Sequence, residues 1–210
     1  MRKIVLYSDQ IIKANRKVDY ELLQLLNKKN PSIGYIPSCS DLTRKYFNPK
    51  VQYYNELGIS NIQYFDLDKE YDGTKINDIF KSDAIHLSGG NTFYFLHLLK
   101  KRNLVKSLQL YVEQGGILIG ISAGSIILSK TIDMAQFGDE AIVGIDDRCS
   151  LGIVDFHFMP HWSNDESIKY LDLLKEYSIV KKTTIYACND GDGIVIDGDN
   201  IKFIGNVIKI

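Results

Sequence analysis

The chain has 210 residues, 45% of them hydrophobic and 24% charged, and its 25 basic and 26 acidic residues leave a formal charge of −1. That balance suits one globular domain with a sizeable core, and the lack of basic excess argues against nucleic acid or an anionic membrane as partner. Cys39, Cys149 and Cys188 form no CxxC pair and no metal-ligand cluster, so reduced thiols in a cytoplasmic protein are expected.

Met1-Arg2-Lys3 precedes an apolar run, Ile4 to Tyr7, that is too short for a signal peptide and reads as a first strand. Apolar residues at Val18, Leu22, Leu25 and Leu26 predict a helix over 18–29. A second strand over 33–36 stops at Pro37, and a helix over 42–57 is expected to be interrupted near Pro49. A third strand over 62–65, a short helix over 76–80 and a fourth strand over 84–87 follow. Ser88-Gly89-Gly90-Asn91 reads as a tight turn into a helix over 92–100. Another helix over 104–113 ends at Gly115-Gly116. The continuous apolar run from Ile117 to Ile121 is the pattern of a parallel strand buried on both faces, and the next helix is expected to start directly at Ser122. The chain then looks irregular from Lys130 to Arg148, extended over 151–159, and helical over 167–177 with a cap at Ser163 or Asn164. Late strands over 184–187, 193–196, 202–204 and 207–210 are joined by Asp-Gly turns. Strands alternating with helices predict a single α/β domain, a mostly parallel central sheet with helices on both faces.

The chemistry concentrates at two turns. Gly120-Ile121-Ser122-Ala123-Gly124 is a GxSxG run between a buried strand and a helix. A sharp turn there exposes the serine hydroxyl at the strand's carboxyl end, and the new helix points free N–H groups at it. By itself the pattern is common, and a serine capping a helix is the competing reading. Gly89-Gly90-Asn91-Thr92 also follows a strand, at the sheet edge where ligands gather in open α/β folds. The N–H groups of Gly90 and Ala123 are the expected oxyanion pair. An ordinary turn with Asn91 as helix cap is the alternative. A serine nucleophile needs a base. Of four histidines, His86 and His97 sit inside predicted elements and are expected to be structural. Alternation puts His157 and His161 on similar faces and does not separate them.

Taken together, Ser88-Gly89-Gly90-Asn91-Thr92-Phe93, Gly115-Gly116 and Gly120-Ile121-Ser122-Ala123-Gly124 resemble the peptidase E (aspartyl dipeptidase) and cyanophycinase family of serine peptidases. The resemblance implies a class I glutamine amidotransferase-like (flavodoxin-like) fold with Ser122 as nucleophile. Pro160-His161-Trp162 matches the family's Pro-His-aromatic step, which implies His161 as general base and leaves His157 to line the pocket or to pack. The family places a carboxylate between late strands, which implies Asp190 within Cys188-Asn189-Asp190-Gly191-Asp192-Gly193, with Asp192 as its rival.

The resemblance further implies hydrolysis of small peptides through an acyl-enzyme, with no metal or organic cofactor. Asn91, Thr92, Phe93 and Trp162 are expected near the substrate. The aspartate-reading arginine that aspartyl dipeptidases carry after this histidine has no counterpart in Ser163-Asn164-Asp165-Glu166-Ser167-Ile168-Lys169; Lys130 and Arg148 are the substitutes to weigh, though each reads first as a solvated surface charge. A related amidase acting on a non-peptide substrate, or a binding homologue without turnover, are the alternatives. The apolar tail of Ile204, Val207, Ile208 and Ile210 either completes the core or covers a partner's edge, as in a homodimer.

Overall fold

A computed structural model describes residues 1–11 and 13–210, and the side chains of all of these but 164, 167 and 168. Five parallel strands form its centre: β1 (Lys3–Tyr7), β2 (Ser32–Ile36), β3 (Asn61–Tyr64), β4 (Ala84–Leu87) and β5 (Ile117–Ile121). Five further strands follow: β6 (His157–Met159), β7 (Ile185–Cys188), β8 (Gly193–Asp197), β9 (Asn200–Ile204) and β10 (Val207–Lys209). β8 pairs antiparallel with β1 and β9 with β8, which gives a seven-stranded sheet of order β3-β2-β4-β5-β1-β8-β9. β10, β7 and β6 make a separate three-stranded sheet. The mostly parallel α/β architecture is therefore the one the alternating pattern predicts, and the division of the late strands between two sheets is an addition to it.

β1, β2, β4 and β5 are buried on both faces, whereas β3, at the edge of the sheet, is half-buried or exposed along its length. Val5, Tyr7, Ile117, Ile119 and Ile121 face one layer, with α1 (Arg16–Leu26) and α2 (Phe47–Glu56). Ile4, Leu6, Ile85, Leu87 and Leu118 face the other. That second layer holds α4 (Thr92–Lys101), α5 (Leu104–Glu113) and α6 (Ala123–Ile127), which follow the short α3 (Ile76–Ile79) in the chain. Each fully buried Ile or Leu contributes about 1.5–3 kcal/mol, so the five residues of β5, all buried, anchor the turn that follows them. The last helix, α7 (Asn164–Lys181), lies after β6. Among the described residues no helix is long and apolar enough to cross a membrane.

Several boundaries differ from the expected ones for local reasons. α1 stops at Leu26 because Asn27 turns left-handed, with φ 39°. α2 starts only at Phe47: the Asp41 carboxylate accepts the N–H groups of Lys45, Tyr46 and Phe47, and Pro49 falls in the first turn, where a missing N–H costs nothing. Only His157–Met159 of the extended 151–159 segment is a strand. The N–H groups of Leu151, Gly152 and Ile153 instead bond carbonyls at the end of α6, on Ile127, Ser129 and Leu128. α7 is longer than expected at both ends. Ser163 caps it, accepting the Glu166 N–H at 3.2 Å, while the Asn164 side chain lies outside those described. β8 and β9 run antiparallel, because the tight turn at Gly198 (φ 62°) folds β9 back on β8, whereas β7 pairs in parallel with β6.

His86 and His157 are both buried. His86 meets the Tyr54 hydroxyl at 2.8 Å through Nδ1 and has no partner at Nε2. Burial pushes both imidazoles below their ordinary value, His86 far below it. As the pH falls below about 6.5, the unfolded chain therefore takes up protons that the folded one refuses. Stability should drop, by up to about 1.4 kcal/mol per pH unit for each group. Urea unfolding of the wild type should be easier at about pH 5.5 than at about pH 7.5, and His86→Gln should flatten that slope. An unchanged slope would exclude His86 as a source.

Candidate active site

The turn after β5 is built by steric necessity. Ser122 sits at φ 51°, ψ −108°, one residue before α6 rather than within it. Its N–H donates to the Tyr7 carbonyl at 3.1 Å, and the same carbonyl accepts the Ser125 hydroxyl at 2.9 Å. β1 thus holds both ends of the turn. A Cβ at Gly124 would collide with the Leu87 carbonyl, and one at Gly120 with the backbone of Gly124 and Ser125. The two glycines of the GxSxG run let helix and strand approach this closely. Gly124→Ala should therefore lose at least about 3 kcal/mol, read by chemical denaturation. A loss below about 1 kcal/mol would show that the backbone can relax around the methyl group.

Facing the turn is His161. Ser122 Oγ and His161 Nε2 are 2.8 Å apart, and His161 Nδ1 lies 2.7 Å from Asp190 Oδ1. A carboxylate can only accept, so Nδ1 carries the proton and Nε2 is left free to accept one from the serine hydroxyl. The histidine and aspartate side chains are 48% and 43% exposed, so this relay lies at the surface of the domain with a route open to substrate. Asp192 is elsewhere: its carboxylate accepts the Asn206 N–H at 3.0 Å. His157, the other candidate base, is buried on β6 with its ring edge-on to Tyr177. It lies outside both clefts at Ser122, so of its two expected places it packs and does not line the pocket, which corrects the expectation that it stands near substrate.

The glycine loop after β4 leans on the same turn. A Cβ at Gly89 would stand 3.5 Å from Ser122 Cβ, and the Gly124 N–H donates to the Ser88 carbonyl at 3.1 Å. Gly90 has φ 131°, and a side chain there would strike Ser38 Oγ. Among the described residues, no acceptor takes the N–H of Gly90 or of Ala123. Asn91 caps α4 through Oδ1, which accepts the Tyr94 N–H at 3.0 Å, and its amide donates to the Glu140 carbonyl. Both ends of this side chain are therefore committed to structure.

Two cavities of about 530 and 560 Å³ open on either side of the Ser122–His161 pair. The first is lined by Ile126, Met134, Phe137 and Met159, with Asp139 and Glu166 as its charged groups, and includes Thr92. The second contains Asn91 together with Lys45, Lys50, Asp9 and Asp41. Burial pushes the Lys50 ammonium below its ordinary value, against the opposing pull of Asp9. Among the described residues no arginine lines either cavity. Lys130 pairs with Asp155 at 3.1 Å and Arg148 with Asp133 at 3.8 Å, so neither takes the place of an aspartate-reading arginine. Phe93 and Trp162 are buried and line neither cavity, contrary to the expectation that they contact substrate.

Ser8 escaped the sequence reading. It follows β1 directly, and its hydroxyl reaches both His161 and Asp190. A serine at the carboxyl end of a central strand was the available signal, since those ends gather at one edge.

The fold and this Ser-His-Asp geometry together define an α/β protein of the hydrolase kind. The model of peptidase family S51 matches residues 4–204, and the chain belongs to that family. An uncharacterized peptidase of Listeria monocytogenes is 27% identical over 180 residues, 83% of this chain and 86% of its own length. Peptidase E of a Nostoc species is 26% identical over 197 residues, 89% and 77% of the two chains. A solved Listeria monocytogenes structure described as of peptidase E type superposes with TM-score 0.76 at 25% identity, covering 98% of this chain and 100% of its own. The protein is thus a peptidase by family and by fold.

Proposed function

We propose that the protein is a serine peptidase that cleaves small peptides through an acyl-enzyme on Ser122. The observation that carries this reading is the continuous relay from Ser122 Oγ through His161 to Asp190, at 2.8 and 2.7 Å. His161 Nε2 takes the serine proton as Oγ attacks the scissile carbonyl, then gives it to the departing amine. Asp190 holds the imidazole in the Nδ1-protonated tautomer and stabilises its cation. The uncommitted N–H groups of Gly90 and Ala123 receive the oxyanion, and water then releases the acid.

The two cavities that meet at Ser122 are each in the size range of small-molecule sites. Residues on the two sides of a scissile bond would occupy one each. With carboxylates in one and lysines beside carboxylates in the other, the pair gives no single anion pocket of the aspartate-reading kind. A library of dipeptides and β-linked isopeptides, assayed beside Ser122→Ala, tests the reading. Cleavage that disappears in the variant supports it, and cleavage that survives there sinks it.

A further inference from the structure

We propose that Ser8 is the positioning residue of the relay, an inference that rests on the hydrolytic reading of Ser122, His161 and Asp190. Ser8 is fully buried and lines neither cavity, so it would act through other residues rather than on substrate. Its hydroxyl stands where three segments cross. It accepts the His161 backbone N–H at 2.7 Å and lies 3.0 Å from Asp190 Oδ1 and 2.9 Å from the Cys188 carbonyl oxygen. A hydroxyl has one proton to give. The Cys188 carbonyl already accepts the Trp162 N–H at 2.9 Å. Asp190 Oδ1 is charged, and a hydrogen bond to it is the stronger choice. Asp190 Oδ1 is then gripped from two sides, by the Ser8 hydroxyl and by His161 Nδ1–H.

The backbone supplies a second argument. His161 has φ 56°, in the left-handed region, and a non-glycine residue stays there only when its surroundings over-determine it. Ser8 Oγ holds the N–H of His161, and the Cys188 carbonyl holds that of Trp162. One residue earlier, the Tyr7 carbonyl holds the Ser122 turn. The end of β1 therefore sets the nucleophile through a carbonyl and the base and its carboxylate through a hydroxyl.

The test is fluorophosphonate labelling of the full chain, resolved into kinact and KI, with Ser8→Ala made in the wild type and in an Asp190→Asn background. Ser8→Ala should lower kinact about 10- to 100-fold, the usual effect of losing a supporting hydrogen bond around a reacting group, and leave KI within about twofold. In the Asp190→Asn background the same change should cost less than in the wild type, because the charged acceptor of the Ser8 hydroxyl is gone while its bond to the His161 N–H remains. Ser8→Cys, close in size but a weak donor, serves if the alanine variant misfolds by circular dichroism, and should also lose kinact. A folded Ser8 variant that labels like wild type overturns the proposal, as does an equal loss in both backgrounds. The His161 Nδ1–H signal in proton NMR needs no turnover. It should be sharp in the wild type and broadened by exchange in the Ser8 variant, and an unchanged signal counts against Ser8. Wild-type protein that never labels would instead defeat the reading of Ser122, with the NMR signal still deciding Ser8.

Discussion

Ser122→Ala should abolish fluorophosphonate labelling and lower peptide hydrolysis by about a millionfold in kcat, the scale on which triad serines act. The expectation is this large because the hydroxyls of Ser125 and Ser88, on the two turns that meet at Ser122, are already committed. Ser125 is fully buried and donates to the Tyr7 carbonyl, and Ser88 Oγ donates to the Gly89 carbonyl. Folding should change by no more than about 0.5 kcal/mol, since the Ser122 hydroxyl bonds only to the half-exposed His161 and the positive φ is as strained for alanine as for serine. Activity loss and intact folding must therefore appear together, measured by kinetics and by urea unfolding on one preparation. Residual labelling of Ser122→Ala would place the reactive group elsewhere, and a co-ordinate loss of stability would recast the serine as structural.

The second large effect separates the residues of the relay. His161→Ala should approach the loss seen for Ser122→Ala, because the two act as one unit and their losses do not add. Asp190→Asn should cost about 10⁴-fold: an amide leaves the shape but no longer enforces the Nδ1–H tautomer. Two controls make the assignment specific. His157→Ala should keep kcat within about threefold while lowering stability by about 2 kcal/mol, since His157 is buried against Tyr177 away from Ser122. Asp192→Asn should do likewise, because its carboxylate holds the Asn206 turn. If His157→Ala proves the damaging change, or Asp192→Asn matches Asp190→Asn, the relay drawn above is wrong at that member.

The legibility of the site differed residue by residue. Ser122 was readable because a buried strand, two glycines and a helix are all local, and the steric reason for each lies within a few residues. Asp190 was readable only through the family resemblance, since an Asp-Gly turn looks the same whether its carboxylate caps a turn, as Asp192 does, or meets a histidine. Lys130 and Arg148 read first as solvated surface charges, and both are spent on ion pairs. Phe93 and Trp162 looked like pocket walls and are core. Asn91 was open to both readings, pocket wall and helix cap, and it lines the second cavity while its side chain caps α4 and ties down the loop at Glu140. For Phe93 and Trp162 sequence position was right and direction was not, because direction depends on which neighbour the fold brings up.

Hydrophobic periodicity determined the strand-helix alternation, both faces of the sheet and the glycine-flanked turn at Ser122. These follow from burial and backbone sterics, which act over a few residues. Tertiary structure alone decided that the end of β1 would anchor the whole site. Tyr7 and Ser8 lie more than a hundred residues before every member of the relay in the chain. They reach it through the β1–β5 register and the bonds to His161, Cys188 and Asp190. A hydrogen bond across 153 or 182 residues leaves no periodic trace in sequence, because it depends on where strands are stacked and not on how residues alternate along them.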